Sequence, residues 1–443
     1  MRKFNKERYL RKVKFKRLWN TKKKYLYISI PCLLLGILGI YFTYSKYTIR
    51  EEQEVIRTVV GDFIYGDIVL GYTIDGETGT GTFPKQNTGY EGVSVTCDND
   101  ATAIWDNSNW TIKMTSEGNG SRVKCKVAFQ TQEVKTISGV TFSLNTFNPD
   151  FSKSACSTCD AKEAGVFAME DDYGTSYYYR GSVDNNYVDF AGKTWRILRI
   201  NGDGTVRIIL DGVTGTTSKI NSSNSDNAYI GYMYGKTGAS TYSDAHSNTN
   251  DSLLKQALDT WYESNLKTSY ASYLADSGFC NDRSPLSTNS NAGTSNITTY
   301  YQAYARVAAS QPKLSCNQTN DLFTTSSAST GNKALKYPIA TITADEVMVA
   351  GSSGGIFEGR WNYTQSSNNF LNINNGFWTM SPLASTILWD NNTWHIDYFF
   401  YTTRGAFDDI DITNLRDMRP VINLKANVIK KGTGTVNDKY RMS

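Results

Sequence analysis

Only two histidines, His246 and His395, occur in the 443 residues. No nucleophilic Ser or Cys signature stands beside either. H-E-x-x-H, G-x-S-x-G and the phosphate-cradling P-loop are all absent, which removes the enzyme classes that depend on them. His246, within "SDAHSN", reads as a solvent-exposed loop residue. His395 has Asp390 and Asp397 nearby in sequence, a weak catalytic signal on its own. No cofactor is expected.

Acid is scarce at the N-terminus. The first 24 residues hold twelve Lys/Arg against the single acid Glu7, a formal +11; the whole chain is +4, so the remainder is −7. Charge is then missing altogether from Tyr25 to Ser45, "YLYISIPCLLLGILGIYFTYS". A helix of that length spans about 30 Å, the thickness of a bilayer core. Tyr25, Tyr27, Tyr41 and Tyr44 lie near its ends, where amphipathic rings favour the headgroup level. No small-x-small cleavage site follows, which disfavours a removed signal peptide. The expectation is a cell-membrane protein with a single pass, a cytoplasmic basic tail and an extracellular acidic body. Topology and anionic lipid account for the lysines, so no nucleic-acid partner is expected.

Of the seven cysteines, Cys32 lies in the uncharged stretch, leaving Cys97, Cys125, Cys156, Cys159, Cys280 and Cys316. An even number in an exported body points to disulfides. Cys97 and Cys125 fall on apolar faces of alternating segments, as a stapling bridge requires. "CSTC" at Cys156–Cys159 lacks both a βαβ setting and a second ligand pair, so a local disulfide is preferred to a redox or zinc site. Cys280 and Cys316 flank a Ser/Asn/Thr-rich stretch, whose ends a bridge would tie.

Period-two patterning begins after Gly66. Val93, Val95 and Cys97, then Trp110, Ile112 and Met114, then Val123, Cys125, Val127 and Phe129 alternate with polar residues, as half-buried antiparallel strands do. "TWRILRINGDGTVRIILDG" (Thr194 to Gly212) reads as a hairpin around Asn201-Gly202-Asp203-Gly204. Leu254, Ala257, Leu258, Trp261 and Tyr262 carry helical spacing behind the N-cap candidates Asn250, Asp251 and Ser252. Thr343 and Glu346 form a capping-box pattern with Gly351 as a stop.

The phrases "EDDYGTSYYYRGSVDNNYVDFAGKTWRILRINGDGTVRIIL", "GFCNDRSP", "LSCNQTNDLF", "YPIATITADEVMVAG", "FWTMSPL" and "MRPVINLKANV" together resemble a family of surface proteins from gut Firmicutes. The resemblance implies a C-terminal C-type-lectin-like domain, similar to formylglycine-generating enzymes and to the variable proteins of diversity-generating retroelements. It also implies a ligand-binding window between Trp378–Pro382 and Arg419–Val421. The absence of cysteine after Cys316 argues against formylglycine-generating chemistry. The fold class expected is thus α+β: an N-terminal transmembrane helix, a small all-β, sandwich-like module and a C-type-lectin-like domain. The divisions expected are a tail (1–24), an anchor (25–45), a stalk (46–65), a β module (66–132), a linker (133–165) and a ligand-binding domain (166–443).

The window "WDNNTWHIDYFFYTTRGAFDDIDITNLRD" is neither continuously apolar nor cleanly alternating. Its acids and amides cannot all be buried without partners. Asp408-Asp409-x-Asp411 offers hard oxygens but fits no EF-hand loop, and Trp389-Asp390-Asn391 has the wrong order for a calcium-dependent lectin triplet, so no metal is expected. Aromatics form 13% of the chain, with 29 tyrosines, and Tyr, Trp, Asn and Ser are the mixture that binding faces favour. The reading is a non-catalytic display surface for an unknown external protein or glycan. Trp389, Trp394, His395, Tyr398 and Tyr401 would supply ring contacts. Asp390, Asn391, Asn392, Asp397, Asp408, Asp409, Asp411 and Asn414 would supply hydrogen bonds. Trp378, Met380, Pro382, Pro420, Val421 and Leu424 would be framework. Many window residues are reachable by changing adenines in Asn codons, which suits retroelement diversification. The rival readings are a formylglycine-generating or cell-wall-active enzyme and a structural adhesin or scaffold.

Overall fold

The computed structural model describes residues 68–442 apart from 85–89, 108–109, 117–122, 132, 146–147, 156–163, 296, 353–355, 358–359, 362–368, 388–394 and 404–405, together with Leu10, Arg11 and Lys14. The alternating N-terminal segments form a four-stranded sheet in the order Glu77–Thr78, Ile68–Ile74, Val123–Thr131, Tyr90–Cys97. Its central pair is parallel. Thr102–Asp106 and Thr111–Ser116 make a separate hairpin. Cys97 and Cys125 are directly opposed with Cα atoms 4.0 Å apart, and they form the expected disulfide. Phe83, Trp105, Trp110 and Phe129 meet at centroid distances of 5.3 to 5.9 Å, giving this small unit an aromatic core.

The larger core belongs to a nine-stranded sheet centred on the hairpin Lys193–Ile200 and Val206–Leu210. Both arms are buried almost throughout because the sheet is covered on both faces. Gly204, at φ +80°, makes the turn between them. Val421–Leu424 pairs with the second arm, and Glu133–Ile137 with Val140–Leu144 extends the far edge. Residues 133–144, expected as linker, are therefore part of this sheet.

The helices start where their caps dictate. Ser252 accepts the amide of Lys255 at the head of Leu253–Asn265. Thr343 and Glu346 close the capping box of Ala344–Val349 in both directions.

Two expectations need correction. The described residues are mostly β, 38% strand and 14% helical, with a sheet curled into a half-barrel, rather than an α+β protein with a C-type-lectin-like domain. The reason is local: between the periodic segments the chain forms strands of two residues and turns closed by Asn, Asp, Ser and Thr side chains, not helices. Among the described residues no helix is long and apolar enough to cross a membrane. The longest, Leu253–Asn265, has 13 residues, about 20 Å of rise against a bilayer core of about 30 Å. The single-pass membrane localisation is withdrawn on that finding. Tyr25–Ser45, on which it was based, lies outside the described residues.

The second large sheet carries the window. Its strands are β1 (Thr217–Ser218), β2 (Thr299–Tyr300), β3 (Phe377–Ile387), β4 (His395–Thr403), β5 (Ala406–Asp411) and β6 (Arg416–Asp417), in the order β1-β6-β3-β4-β5 with β2 also on β3. Arg419 ties this sheet to the nine-stranded one. Its Nε donates to Leu210 O (2.7 Å) and its Nη1 to Leu371 O (2.9 Å), with the guanidinium 5.0 Å from the Phe377 ring centre.

Candidate recognition surface

The flanking residues are buried: Trp378, Met380, Val421 and Leu424 fully so, and Pro382 and Pro420 with them. Trp378 Nε1 donates to Ser218 O at 2.7 Å, so the ring also pins β1. Above it the register of β3 and β4 shifts between Trp378 and Pro382 and again between Pro382 and Ala384. Pro382 has no N–H to give the ladder, and an interrupted register is the ordinary result.

Beyond the shift, Ala384 opposes Tyr398, Ser385 opposes Asp397 and Ile387 opposes His395. On the other side of β4, Tyr398 opposes Asp411, Phe400 opposes Asp409 and Tyr401 opposes Asp408. The register sets Tyr398, Asp409 and Asp411 in one set of rows and His395, Asp397, Tyr401 and Asp408 in the alternate set, with β5 at the end of the sheet order; alternate rows of a strand belong to opposite faces of the sheet. Directly opposed positions in such a pair have Cβ atoms roughly 5 Å apart. Trp389, Asp390, Asn391, Asn392 and Trp394 lie outside the described residues, as do Cys156 and Cys159.

Asp409 and Asp411 are half-buried and Asn414 is exposed. Asp411 is already committed within the chain. One carboxylate oxygen accepts Thr413 N (2.7 Å) and Thr413 Oγ1 (2.8 Å), and the other accepts Asn224 Nδ2. It shapes the turn after β5 and anchors it to residue 224.

Tyr300 was missed by sequence reasoning. It pairs with Ala384 in β2, so a continuous row runs Tyr300, Ala384, Tyr398, Asp411 across four strands. It is 40% exposed, and Leu286, whose N–H donates to Tyr300 O, is 43% exposed. The run "ITTYYQAYA" carries nothing that would have linked it to a window some eighty residues on.

His246 is likewise not the exposed loop residue expected; it is fully buried. Its flanks are polar, but Tyr242 and Tyr301 enclose the ring, at centroid distances of 4.5 and 6.3 Å. The Cys280–Cys316 disulfide is formed, with Cα atoms 5.5 Å apart.

A second concavity, about 400 Å3 with its open mouth included, is lined by charge: Arg199, Arg207, Arg306, Asp282, Asp345 and Glu346. These groups satisfy one another. Glu346 accepts Arg207 Nη1 (2.6 Å) and Arg199 Nε (3.2 Å), while its other oxygen accepts Thr343 N (3.0 Å). Arg199 also pairs with Asp171, and Arg306 bridges Asp282 (2.6 Å) and Asp345 (2.7 Å). Burial alone would raise the Glu346 carboxyl, but Arg207 and Arg199 hold it down at about 2. Chemically this is a cross-brace. Ser381 Oγ of β3 accepts Ala344 N at 2.9 Å, so the brace reaches the window's first strand.

No family model, curated protein or solved structure matches the chain.

Proposed function

We propose that the chain is a recognition protein that catalyses nothing, and that it grips a macromolecular ligand, preferentially a protein, through β4, β5 and the adjoining Tyr300. The observation that carries this reading is the register. It sets Tyr300, Ala384, Tyr398 and Asp411 in one row across four strands, in a sheet whose strand β3 also carries the buried Trp378 and Met380. Tyrosine contributes large contact area while freezing few torsions, and carboxylates and amides at the same patch supply directional bonds. A rigid backing keeps the ordering cost of binding low.

The test is a protein and glycan array probed with the oxidised full-length chain, wild type against Tyr300→Ala, Tyr398→Ala and Asp409→Ala. The expected result is a saturable hit that each variant weakens about tenfold or more, the loss of a 1.4 kcal/mol contact, with melting temperature unchanged. Hits bound equally by wild type and all three variants would remove the assignment.

A further inference from the structure

His246 terminates the short helix Tyr242–Ala245 and is enclosed completely. Its Nδ1 lies 3.4 Å from Arg283 Nη1. Arg283 is a permanent cation, since its Nε and Nη2 both engage Asp321 Oδ1, the first at 2.9 Å, and its backbone N–H engages Asp321 Oδ2. The imidazole Nε2 lies against Gly293 without a hydrogen bond of full geometry, and the Gly293 backbone favours the protonated ring less than burial and Arg283 oppose it. The groups facing the ring are Arg283, the phenols of Tyr242 and Tyr301, and Gly293. The nearest acids are Asp321, spent on Arg283; Asp282, which pairs with Arg306; and the exposed Asp244 on the ring's own helix. No carboxylate among the described residues is placed to receive a proton-bearing imidazole.

The same ring is two contacts from the recognition strands. Tyr301, edge-on to His246, donates its backbone N–H to Leu383 O of β3 at 3.0 Å. The two residues before it are β2, which pairs with Ser385 and Ala384, and those oppose Asp397 and Tyr398. Thr299 Oγ1 accepts Gly293 N at 2.9 Å, which joins the other wall of the histidine pocket to the same strand.

We propose that His246 is an acid-operated release for the recognition surface: placing a proton on its ring undocks Thr299–Tyr301 from β3. A second cation 3.4 Å from Arg283 in a fully buried site that no carboxylate faces is repelled. Opening the segment hydrates the imidazole, so protonation and opening are linked. Burial, then the neighbouring Arg283, hold the imidazole well below its ordinary 6.5 in the closed form. A base depressed in this way gives stability that is complete above about pH 6.5 and declines as pH falls. The opening equilibrium therefore rises about 30-fold between neutral pH and pH 5. The consequence for ligand rests on the recognition reading; the opening itself does not.

Amide hydrogen exchange of the ligand-free, oxidised full chain at pH 7.5 and 5.0, corrected for intrinsic rates, tests the opening alone. Peptides covering 292–301 and 383–387 should lose protection by about 30-fold at pH 5 relative to the 193–210 hairpin. His246→Gln, which accepts from Arg283 but does not titrate, should show equal protection at both pH values. Unchanged protection of 292–301 in the wild type at pH 5, an equal loss in 193–210, or a His246→Gln protein that follows the wild type would each overturn the proposal. If His246→Gln does not fold, the wild-type contrast between the two regions still decides it.

Discussion

Replacing Glu346 by Gln preserves shape and removes one charge from the cross-brace. The wild-type carboxylate accepts from Arg207, Arg199 and Thr343 N through its two oxygens. An amide has one oxygen and an NH2 group, so one of these donors must face another donor. Arg207 and Arg199, 2% and 5% exposed at their side chains, are left with one ion pair, Arg199 to Asp171. Breaking a buried pair in this way costs about 3–5 kcal/mol, a large fraction of the 5–15 kcal/mol typical of a native protein. The pH dependence gives an independent magnitude. The carboxyl is held at about 2 instead of 4.5, which corresponds to about 3 kcal/mol of stability. Because its folded value is depressed, that contribution is present above about pH 4.5 and lost as pH falls towards 2. Urea melts of both proteins at pH 7, 5, 4 and 3 should show a gap of about 3–5 kcal/mol at pH 7 that shrinks by about 2 kcal/mol by pH 3. A gap below about 1 kcal/mol, or one independent of pH, would refute the view that this cluster braces the two sheets.

Three further outcomes follow. Cys280→Ser with Cys316→Ser opens a loop of sequence separation 36 and should lower stability by about 4 kcal/mol on chain-entropy grounds, measured by urea melts against the oxidised wild type. Asp411→Ala removes acceptors from Thr413 and Asn224 and should cost about 1–2 kcal/mol. The exposed Asn414→Ala should stay within about 0.5 kcal/mol, so equal effects from the two would contradict the role given to Asp411.

What could be read from the sequence was what depends on neighbours a few residues apart. The Thr194–Gly212 hairpin, the caps at Ser252 and Thr343, and the apolar faces bearing Cys97 and Cys125 all follow from local spacing, and the structure contains them. Framework burial at Trp378 and Val421 was legible too, because apolar residues there interrupt a polar stretch. The rest depends on partners distant in sequence. Ile68–Ile74 pairs in parallel with Val123–Thr131 across four intervening strands, and no period-two pattern encodes that choice. His246 is buried by Arg283, Gly293 and Tyr301 rather than by its own polar flanks. Tyr300 joins the candidate surface only through its register with Ala384. Fold class failed for a related reason: the two recognisable helices were weighted heavily, while the many two-residue strands carry no periodicity to read.

The central claim, that β4 and β5 with Tyr300 form the contact surface, is tested most directly by a hydrogen-exchange footprint of the best array hit on the full-length chain. Slowed exchange concentrated in 395–411 and 299–301, with 193–210 and 253–265 unaffected, is the predicted result. Protection centred on the charged concavity around Arg306, or on the 68–131 unit, with 395–411 unchanged, would contradict it.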